Sequence, residues 1–323
     1  MNLSTSYLGL ALRSPFVVGA SPLCDDADTA RRLEDAGAGA VVLRSLFEEQ
    51  LVAPVPTEAG QGTDPPSFPA YADYQLSPAQ YLDHVAHLKQ HLTIPVIASL
   101  NGHRPGGAWR EFAPRLAQAG ADAIELNFYR VITNPAIAAD SVETAMLEVV
   151  GEVSAAVRIP VSVKLSPFHS SVAQLAVALE LEGAAGLVLF NRFYQPDVDV
   201  ERLEVRPLLR LSEPGELLLR LRWLAILAPL VRGSLAAGGG IHEAGDVAKA
   251  LLTGADAVQL VSVLLRHGPQ VLVTLRRGLE SWMRGHGFAQ PGDFRGRLDL
   301  AHSCDAAAFE RANYIHTLQS RPG

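Results

Sequence analysis

Two short apolar runs of this chain end in polar residues that could act together chemically. One run ends Glu125-Leu126-Asn127, and the next contains Lys164 within Val161–Ser166. A lysine in an apolar run is costly to bury unless its charge is used. Lys164 could stabilise negative charge on a reduced flavin ring, serve as a Schiff-base amine, or simply pair with Glu125. Asn127 offers a donor and an acceptor to such a ring, although asparagine is also typical of turns.

A glycine triplet follows a later apolar run and precedes a helix start. The triplet is Gly238-Gly239-Gly240, and Ser262 follows the last of these runs. Backbone N–H groups at such a loop can bind a phosphate, and in α/β barrels the loops after strands seven and eight form a frequent phosphate site. These residues predict a phosphate-binding loop, with a tight strand-to-helix turn as the alternative.

Three arginines stand at or just after the ends of predicted strands, namely Arg44, Arg130 and Arg192. Convergent guanidinium groups favour a ligand that carries a carboxylate or a phosphate. They therefore predict a small anionic substrate. The alternative is ion pairing across the same mouth with Glu48, Asp197 or Asp199.

These residues need a scaffold that brings strand ends together, and the apolar pattern predicts one. Short, continuously apolar runs are typical of buried parallel strands, and helical patterns lie between them. The strands are predicted at Phe16–Ala20, Ala40–Arg44, Pro95–Leu100, Ala123–Asn127, Val161–Leu165, Gly186–Phe190, Ser234–Ala237 and Ala257–Val261. The helices are predicted at Asp25–Ala36, Pro78–Leu92, Ala108–Ala119, Val142–Val157, Val172–Leu181, Gly215–Leu227 and Glu243–Leu252. The alternation predicts an α/β fold, a (β/α)8 TIM barrel, with its chemistry where the strands end.

Two connections are longer than barrel loops usually are. They run from about Leu46 to Ser77 and from about Arg192 to Pro214, after predicted strands two and six. Both would overhang the mouth of the barrel. We therefore expect lids over the site, with decorative insertions as the alternative.

The chain is predicted to form one barrel domain over residues 1–300, followed by a short helical tail over residues 301–323. The tail carries apolar residues on one predicted helix, namely Phe309, Tyr314, Ile315 and Leu318. We expect this helix to pack on the barrel or on a second subunit.

Composition and charge limit the functional classes. The net charge is −7 and no basic run occurs, which argues against a nucleic-acid partner. The most apolar helical stretch, Leu217 to Val231, is interrupted by Arg220 and Arg222, so no membrane span is expected. Cys24 and Cys304 form no metal-ligand spacing, so no metal is predicted and a reducing, cytoplasmic setting is expected.

The chain resembles the FMN-dependent dihydroorotate dehydrogenase family over about residues 5 to 300. The matching stretches are Pro15–Ser21, Glu125-Leu126-Asn127, Val163–Pro167, Gly239-Gly240-Ile241, Gly254-Ala255, Gln259-Leu260, His267-Gly268-Pro269 and Asp293–Gly296. The resemblance implies a barrel that holds FMN over its carboxyl-terminal mouth and, often, a homodimer.

The resemblance also implies roles for individual residues. Asn127 and Lys164 match residues that hold the flavin and pyrimidine rings, and Gly239, Gly240 and Ser262 match the phosphate cradle. The implied cofactor-binding residues are Ala20, Ser21, Arg44, Ser45, Asn127, Lys164, Asn191, Gly239, Gly240 and Ser262. The predicted substrate-binding residues are Arg44, Asn127, Arg130 and Arg192.

The chain departs from the family pattern at Val261-Ser262, where the family usually has a Gly-Thr pair, and at three further positions. Arg44 stands where the family has a lysine after strand two, Arg130 where it has a cysteine or serine base, and Ile132 where it has an asparagine. An arginine stays protonated and cannot take a proton from the substrate. We therefore predict an FMN-dependent oxidoreductase that transfers hydride between FMN and a different, anionic substrate at a CH–CH bond. Its predicted catalytic residues are Lys164, Arg130 and Tyr129, with Tyr129 as the replacement acid.

Three other functions stay open at this point. The chain could be a true dihydroorotate dehydrogenase of pyrimidine metabolism whose base lies on a lid, at His169 or Tyr194. It could be a flavin-binding subunit without turnover that works through an electron-transfer partner. It could also be a flavin-free aldolase that uses Lys164.

Overall fold

A computed structural model describes residues 1–51, 76–192, 194–311 and 313–319 of the chain. Within them, eight parallel strands close into a barrel in which each strand pairs with the next and the last pairs with the first. The strands are β1 Phe16–Val18, β2 Ala40–Phe47, β3 Val96–Asn101, β4 Ala123–Asn127, β5 Val161–Leu165, β6 Gly186–Leu189, β7 Ser234–Gly238 and β8 Ala257–Leu260. Burial on both faces explains their apolar composition. The predicted (β/α)8 barrel is confirmed.

Eight helices each follow the strand of the same number. They are α1 Ala27–Ala36, α2 Pro78–His91, α3 Trp109–Gln118, α4 Ala139–Ala156, α5 Val172–Leu181, α6 Leu217–Leu227, α7 Ala244–Leu252 and α8 Val271–Gly285. Local signals set their ends: Asp26 accepts from the Thr29 N–H at the start of α1, and Ser77 forms a capping box with Gln80 at the start of α2.

A hairpin and small side chains close the amino-terminal end of the barrel. The hairpin pairs Thr5–Tyr7 with Leu10–Leu12, and the N–H of Leu8 between them donates to Oγ of Ser234, the first residue of β7. The barrel residues packed against the hairpin include Val17, Ala40, Val42, Ile97, Ala123, Val188, Ala236 and Ala257. This end is therefore an apolar plug, and polar side chains collect at the opposite end.

Strand β2 has one extra residue between Val42 and Ser45 relative to the paired stretch of its neighbour β3. Val42 pairs with Ile97, but the next pair joins Ser45 to Ser99, so the register shifts between them. Side chains alternate between the two faces of a strand, so one inserted residue changes which later side chains face inward. Ser45 faces the barrel interior, where its hydroxyl bonds the hydroxyl of Ser99. Arg44 would occupy that position without the insertion.

Some elements differ from the prediction. Helix α4 begins at Ala139, three residues before the predicted start at Val142. The connection after β6 contains a hairpin of Asp197–Asp199 and Glu204–Arg206 that was not predicted, because its strands have three residues each and are mostly exposed. The predicted lid after strand two falls mostly on residues 52–75, which lie outside the described residues.

The tail is divided into two short elements, so the prediction of one helix is wrong. Phe309 lies in the 3-10 turn Ala306–Phe309, which contacts α6. A separate helix, Asn313–Gln319, carries Tyr314, Ile315 and Leu318, and these three side chains are exposed. The domain boundary at residue 300 stays a prediction.

Two further features are not found within the described part of the chain. None of its helices has the length and hydropathy needed to cross a membrane. No group of three or more His, Cys, Asp or Glu side chains there is arranged to hold a metal ion.

Candidate active site

Three polar side chains from β4, β5 and β8 meet in the carboxyl-terminal half of the barrel. Nζ of Lys164 donates to Oε1 of Gln259 at 3.0 Å and lies 3.6 Å from Oε1 of Glu125. Nε2 of Gln259 in turn donates to Oε2 of Glu125. Glu125 is fully buried and the Lys164 side chain is 11% exposed. Each charge therefore depends on the other, because an unpaired ion in this interior would be strongly unfavourable.

Small polar side chains form a hydrogen-bonded chain across neighbouring strand ends. Nδ2 of Asn191 donates to Oδ1 of Asn127, and Nδ2 of Asn127 donates to Oγ of Ser45 at 3.2 Å. Ser45 shares a hydrogen bond of 2.8 Å with Ser99. The structure thus brings together three of the predicted cofactor residues from β2, β4 and the segment after β6, and each fixes the orientation of the next.

Arg44 lies outside this group. Its Nε donates to Oδ1 of Asp25 at 2.9 Å, a second guanidinium nitrogen bonds the other carboxylate oxygen, and the side chain is 38% exposed. Arg44 lines a separate pocket with Tyr81 and His84. The extra residue in β2 is the physical reason, because it gives the inward position to Ser45. The structure therefore does not bring Arg44 to the predicted cofactor and substrate site.

The glycine triplet after β7 makes a tight loop against the start of α6. Gly239 and Gly240 have φ angles of 87° and 79°, in the left-handed region that favours glycine. A Cβ atom on Gly240 would lie 2.4 Å from the backbone nitrogen of Leu217. Glycine is therefore required here both for conformation and for the close approach of two backbone segments.

Ser212, from the connection after β6, bridges this loop and the segment after β8. The N–H of Gly240 donates to Oγ of Ser212 at 3.2 Å, and the N–H of Ser212 donates to Oγ of Ser262 at 2.9 Å. Two hydroxyls and the glycine N–H groups therefore lie close together. Such donors are the groups that a phosphate oxygen accepts from.

A buried arginine on α6, Arg220, is hydrogen-bonded to the glycine loop. Nε of Arg220 donates to the carbonyl oxygen of Gly238 at 2.9 Å, and Nη1 donates to the carbonyl oxygen of Glu216 at 2.7 Å. The Glu216 carboxylate lies 3.7 Å from Arg220 and 3.2 Å from Arg192. Burial lowers the pKa of Arg220, and the Glu216 carboxylate opposes that shift. Two cations thus share one anion, and the net positive charge favours an anionic ligand.

Most of these groups border one cleft of about 290 Å3. The predicted residues that line it are Ala20, Ser21, Lys164, Asn191, Arg192, Gly239 and Ser262. Asn127 and Gly240 contact the lining residues Asn191 and Ser212. An ammonium and amides suit the polar edge of a flavin ring, and N–H and hydroxyl donors suit a phosphate. The donor set present in the cleft therefore fits FMN.

A larger cavity of about 650 Å3 lies between the segments that follow β4, β5 and β6. Arg130 lines this cavity and not the cleft, whereas Tyr194 lines both. The phenol oxygen of Tyr129 accepts a hydrogen bond of 3.3 Å from the Tyr194 N–H. The predicted catalytic residues are therefore divided, with Lys164 in the cleft, Arg130 in the cavity and Tyr129 beside the segment that separates them.

His169 also lines the larger cavity and pairs with a carboxylate. Its Nδ1 lies 3.4 Å from Oε1 of Glu143. Burial lowers the pKa of His169, and the Glu143 carboxylate opposes that shift. Within the described residues its Nε2 is buried without a hydrogen-bond partner. A neutral imidazole whose Nδ1–H faces a carboxylate presents a basic Nε2, the arrangement of a general base.

Three residues of the site were not assigned a role from the sequence. Gln259 interrupts the apolar run of β8, and a polar residue inside a buried strand was the available signal. Arg220 was interpreted only as an interruption of an apolar helix, although a buried arginine needs acceptors. Ser212 gave no signal, because its role depends on how its long connection folds back onto the glycine loop.

Similarity to known proteins extends over most of the chain. It is 29% identical over 305 residues to a putative dihydroorotate dehydrogenase A (fumarate) of Aeropyrum pernix, covering 91% of this chain and 96% of that protein. It is 28% identical over 310 residues to the catalytic subunit of dihydroorotate dehydrogenase B (NAD(+)) of Methanothermobacter thermautotrophicus, covering 93% and 98%. A third relative, the chloroplastic dihydropyrimidine dehydrogenase (NADP(+)) of Arabidopsis thaliana, is 26% identical over 335 residues, covering 91% and 76%. No family model matches the chain.

The fold defines the chain as a (β/α)8 barrel protein whose polar residues gather at the carboxyl ends of the strands. The relatives that match nearly its whole length are dehydrogenases. The chain is a dihydroorotate-dehydrogenase-like oxidoreductase, and the resemblance predicted from its sequence is confirmed.

Proposed function

We propose that this protein is an FMN-dependent oxidoreductase that acts on a CH–CH bond of a small anionic substrate other than dihydroorotate. The observation that carries the proposal is the contrast between two neighbouring sites. The cleft keeps the Lys164–Gln259–Glu125 network beside the glycine loop, whereas Arg130 stands where the family has its base.

Different cleft residues would hold the phosphate and the flavin ring of FMN. Gly239 and Ser262 would donate to the phosphate, with the charge of Arg220 behind the loop. Gly240 would act through Ser212, whose hydroxyl accepts from the Gly240 N–H. Lys164 would place its ammonium beside the flavin ring, where it stabilises negative charge. FMN, when bound, would supply the acceptor for the hydride that leaves the substrate carbon.

The neighbouring residues would hold the substrate and take its proton. Arg130 and Arg192 would bind its anionic group, because guanidinium forks match carboxylates. Oxidation of a CH–CH bond releases a proton as well as a hydride, so a base is required. Tyr129 is the predicted residue for this proton transfer, as the acid when hydride passes to the substrate and as its conjugate base when the substrate is oxidised. Its phenol oxygen accepts a hydrogen bond from the Tyr194 N–H.

Two measurements test this proposal. Addition of FMN to the purified protein should quench the flavin fluorescence in proportion to the protein present, and Lys164→Met should weaken or abolish this binding. The FMN-loaded protein should then be mixed anaerobically with small carboxylates and with their amides. Bleaching of the flavin absorbance by a carboxylate and not by its amide supports the proposal, and a protein that binds no FMN contradicts it.

The pair of Glu143 and His169 favours a second candidate, which is dihydroorotate oxidation with a relocated base. Nε2 of His169 is basic and without a partner among the described residues, so it could take the proton that the family's cysteine or serine takes. Turnover of dihydroorotate that is lost in His169→Gln and rises with pH as His169 loses its proton would support this candidate. Turnover unchanged in that variant would reject it.

We also infer that electrons leave through a second chain or a small acceptor. Several relatives are named catalytic subunits of NAD(+) enzymes, which supports a homodimer or an electron-transfer partner. Sedimentation of the FMN-loaded protein, alone and in extract from its source cells, tests this arrangement. A flavin-free aldolase is disfavoured, because Nζ of Lys164 is engaged by Gln259 at 3.0 Å and by Glu125 at 3.6 Å, whereas a Schiff base needs an amine that is free to attack a carbonyl.

A further inference from the structure

The cavity beside the cleft is larger than its neighbour and mostly apolar. Its volume is about 650 Å3, within the range of sites for drug-sized molecules. Val142 and Met146 of α4 form part of its wall, together with Ile137 from the segment after β4. A single pyrimidine ring with one carboxylate would leave much of this volume empty, so the cavity suits a larger molecule.

Several rings border this cavity. The aromatic and imidazole side chains of its wall are His103, Phe128, Phe168, His169 and Tyr194. Rings pack favourably against rings through offset-stacked and edge-to-face contacts. The wall therefore favours a ligand with an aromatic body over one with a flexible aliphatic chain.

Exposed apolar side chains mark the opening of the cavity. Phe168 is 72% exposed and Val131 is 64% exposed, and both belong to the wall. Contiguous exposed apolar surface is unfavourable in water and commonly marks a ligand-binding groove. A ligand with an apolar body would cover these side chains.

The charges of the cavity select an anion. Glu143 faces His169 at 3.4 Å, and the Nδ1 of His103 lies 3.6 Å from Glu48. Arg130, in contrast, has no hydrogen bond or ion pair with any residue that the structure describes. It is the cation of the wall that remains available, and a guanidinium prefers a carboxylate, which it can bind with two parallel hydrogen bonds.

A buried polar atom marks the inner part of the same wall. The His169 side chain is 9% exposed, and its Nε2 has no partner among the described residues. Buried polar groups are normally hydrogen-bonded, so an unpartnered nitrogen indicates a ligand that supplies the missing partner. A hydroxyl or ring N–H on the ligand body would do so.

We propose that this cavity binds a carboxylate larger than dihydroorotate that carries an aromatic ring and a saturated CH–CH bond, with its carboxylate on Arg130 and its ring against Phe128, Phe168 and Met146. Tyr194 borders both the cavity and the cleft, so the bound molecule lies next to the flavin position. The inference names the substrate class of the proposed oxidoreductase and rests on that function for its chemistry, but binding itself can be measured without turnover.

The test uses 2-naphthoate as the probe and 2-naphthalenemethanol as its neutral counterpart, with isothermal titration calorimetry on the full chain. The wild-type protein should bind naphthoate saturably and more tightly than the alcohol. Arg130→Gln should weaken naphthoate binding about tenfold or more, because a charge-assisted contact is lost, and should leave binding of the alcohol unchanged. Arg110→Gln, a matched change at an exposed arginine on α3, should have no effect on either.

A second pair of variants tests the place of the ring body. Met146→Trp should fill the cavity and abolish binding of both probes. Val142→Phe is the milder change if the first does not fold, and it should weaken both probes several-fold. Absence of naphthoate binding in the wild type, or equal affinity in wild type and Arg130→Gln, overturns the inference.

FMN titration of the same samples separates the two proposals. If the protein binds FMN but not naphthoate, the proposed function stands and this inference is rejected. If the protein binds naphthoate through Arg130 but does not bind FMN, the anion site stands and the proposed function is rejected.

Discussion

The two sides of the barrel mouth differ in how their polar groups are satisfied. On the cleft side, Lys164, Glu125 and Gln259 form a triangle in which Gln259 hydrogen-bonds the other two and Lys164 forms an ion pair with Glu125 at 3.6 Å. On the cavity side, the guanidinium of Arg130 and Nε2 of His169 have no partners within the described residues. One side is assembled before any ligand arrives, whereas the other leaves its polar groups for a ligand to satisfy.

This difference supports the proposed function. A preassembled set of donors lowers the cost of holding a charged cofactor, because little reorganisation is needed when it binds. The cavity side contains Arg130, which cannot take a proton. We infer that the cofactor half of the site is kept and that the substrate half is specialised.

The largest expected effect comes from breaking the triangle on the cleft side. Lys164→Met should lower the free energy of unfolding by about 3–5 kcal/mol, because it leaves the buried Glu125 carboxylate without a cation. The double variant Lys164→Met/Glu125→Gln should recover a large part of this loss. Urea denaturation of the flavin-free protein measures both, and additive losses would show that the two charges do not interact.

The glycine loop should show the next largest effect, with a clear order between neighbours. Gly240→Ala should cost about 2–4 kcal/mol, from the left-handed backbone and the contact with Leu217 at 2.4 Å. Gly239→Ala should cost about 1–2 kcal/mol from the left-handed backbone alone, because its Cβ would lie at an ordinary van der Waals distance of 3.4 Å from Nη2 of Arg220. Thermal unfolding and FMN titration check this order. Equal effects would mean that backbone crowding at Gly240 is unimportant.

A smaller effect should separate two adjacent residues of β2. Ser45→Ala should weaken FMN binding and stability by about 1 kcal/mol, because Asn127 loses an acceptor. Arg44→Gln should change stability by less than about 1 kcal/mol, as expected for an exposed ion pair, and should not change FMN affinity. The reverse order in a fluorescence titration would place Arg44, not Ser45, at the cofactor.

The smallest expected effect concerns the pH dependence of the cavity side. Burial lowers the pKa of His169 from its ordinary value of 6.5. As the pH falls below 6.5, the unfolded chain takes up the proton first, so the free energy of unfolding should decrease through the window between the ordinary and the lowered pKa. His169→Gln should remove this slope, whereas His87→Gln on the exposed face of α2 should keep it. If the pH dependence of the free energy of unfolding persists in His169→Gln, another titratable group causes it.

The barrel and much of the cleft could be predicted because their signals are local. A buried parallel strand needs a continuous apolar run, and Lys164 stood out because it breaks such a run. A glycine triplet between a strand and a helix similarly indicates a phosphate loop. These signals do not depend on how distant segments pack.

The placement of Arg44 could not be predicted, because it depends on how two strands pair and not on a local sequence signal. One inserted residue in β2 changes no composition or periodicity that a single sequence reveals, yet it decides whether Arg44 or Ser45 faces inward. Ser212 and Arg220 depend on tertiary contacts with Gly240 and Gly238. The partners of such residues are set by the packing of α6 and the long connection before it.

The most direct test of the central claim is to load the protein with FMN and mix it with dihydroorotate without oxygen. We predict flavin absorbance bands that dihydroorotate does not bleach, because the cleft is proposed to hold FMN and Arg130, which cannot take a proton, is proposed to stand in place of the base. Rapid bleaching by dihydroorotate would contradict this prediction, because it would show that dihydroorotate is a substrate and that Arg130 does not prevent its oxidation.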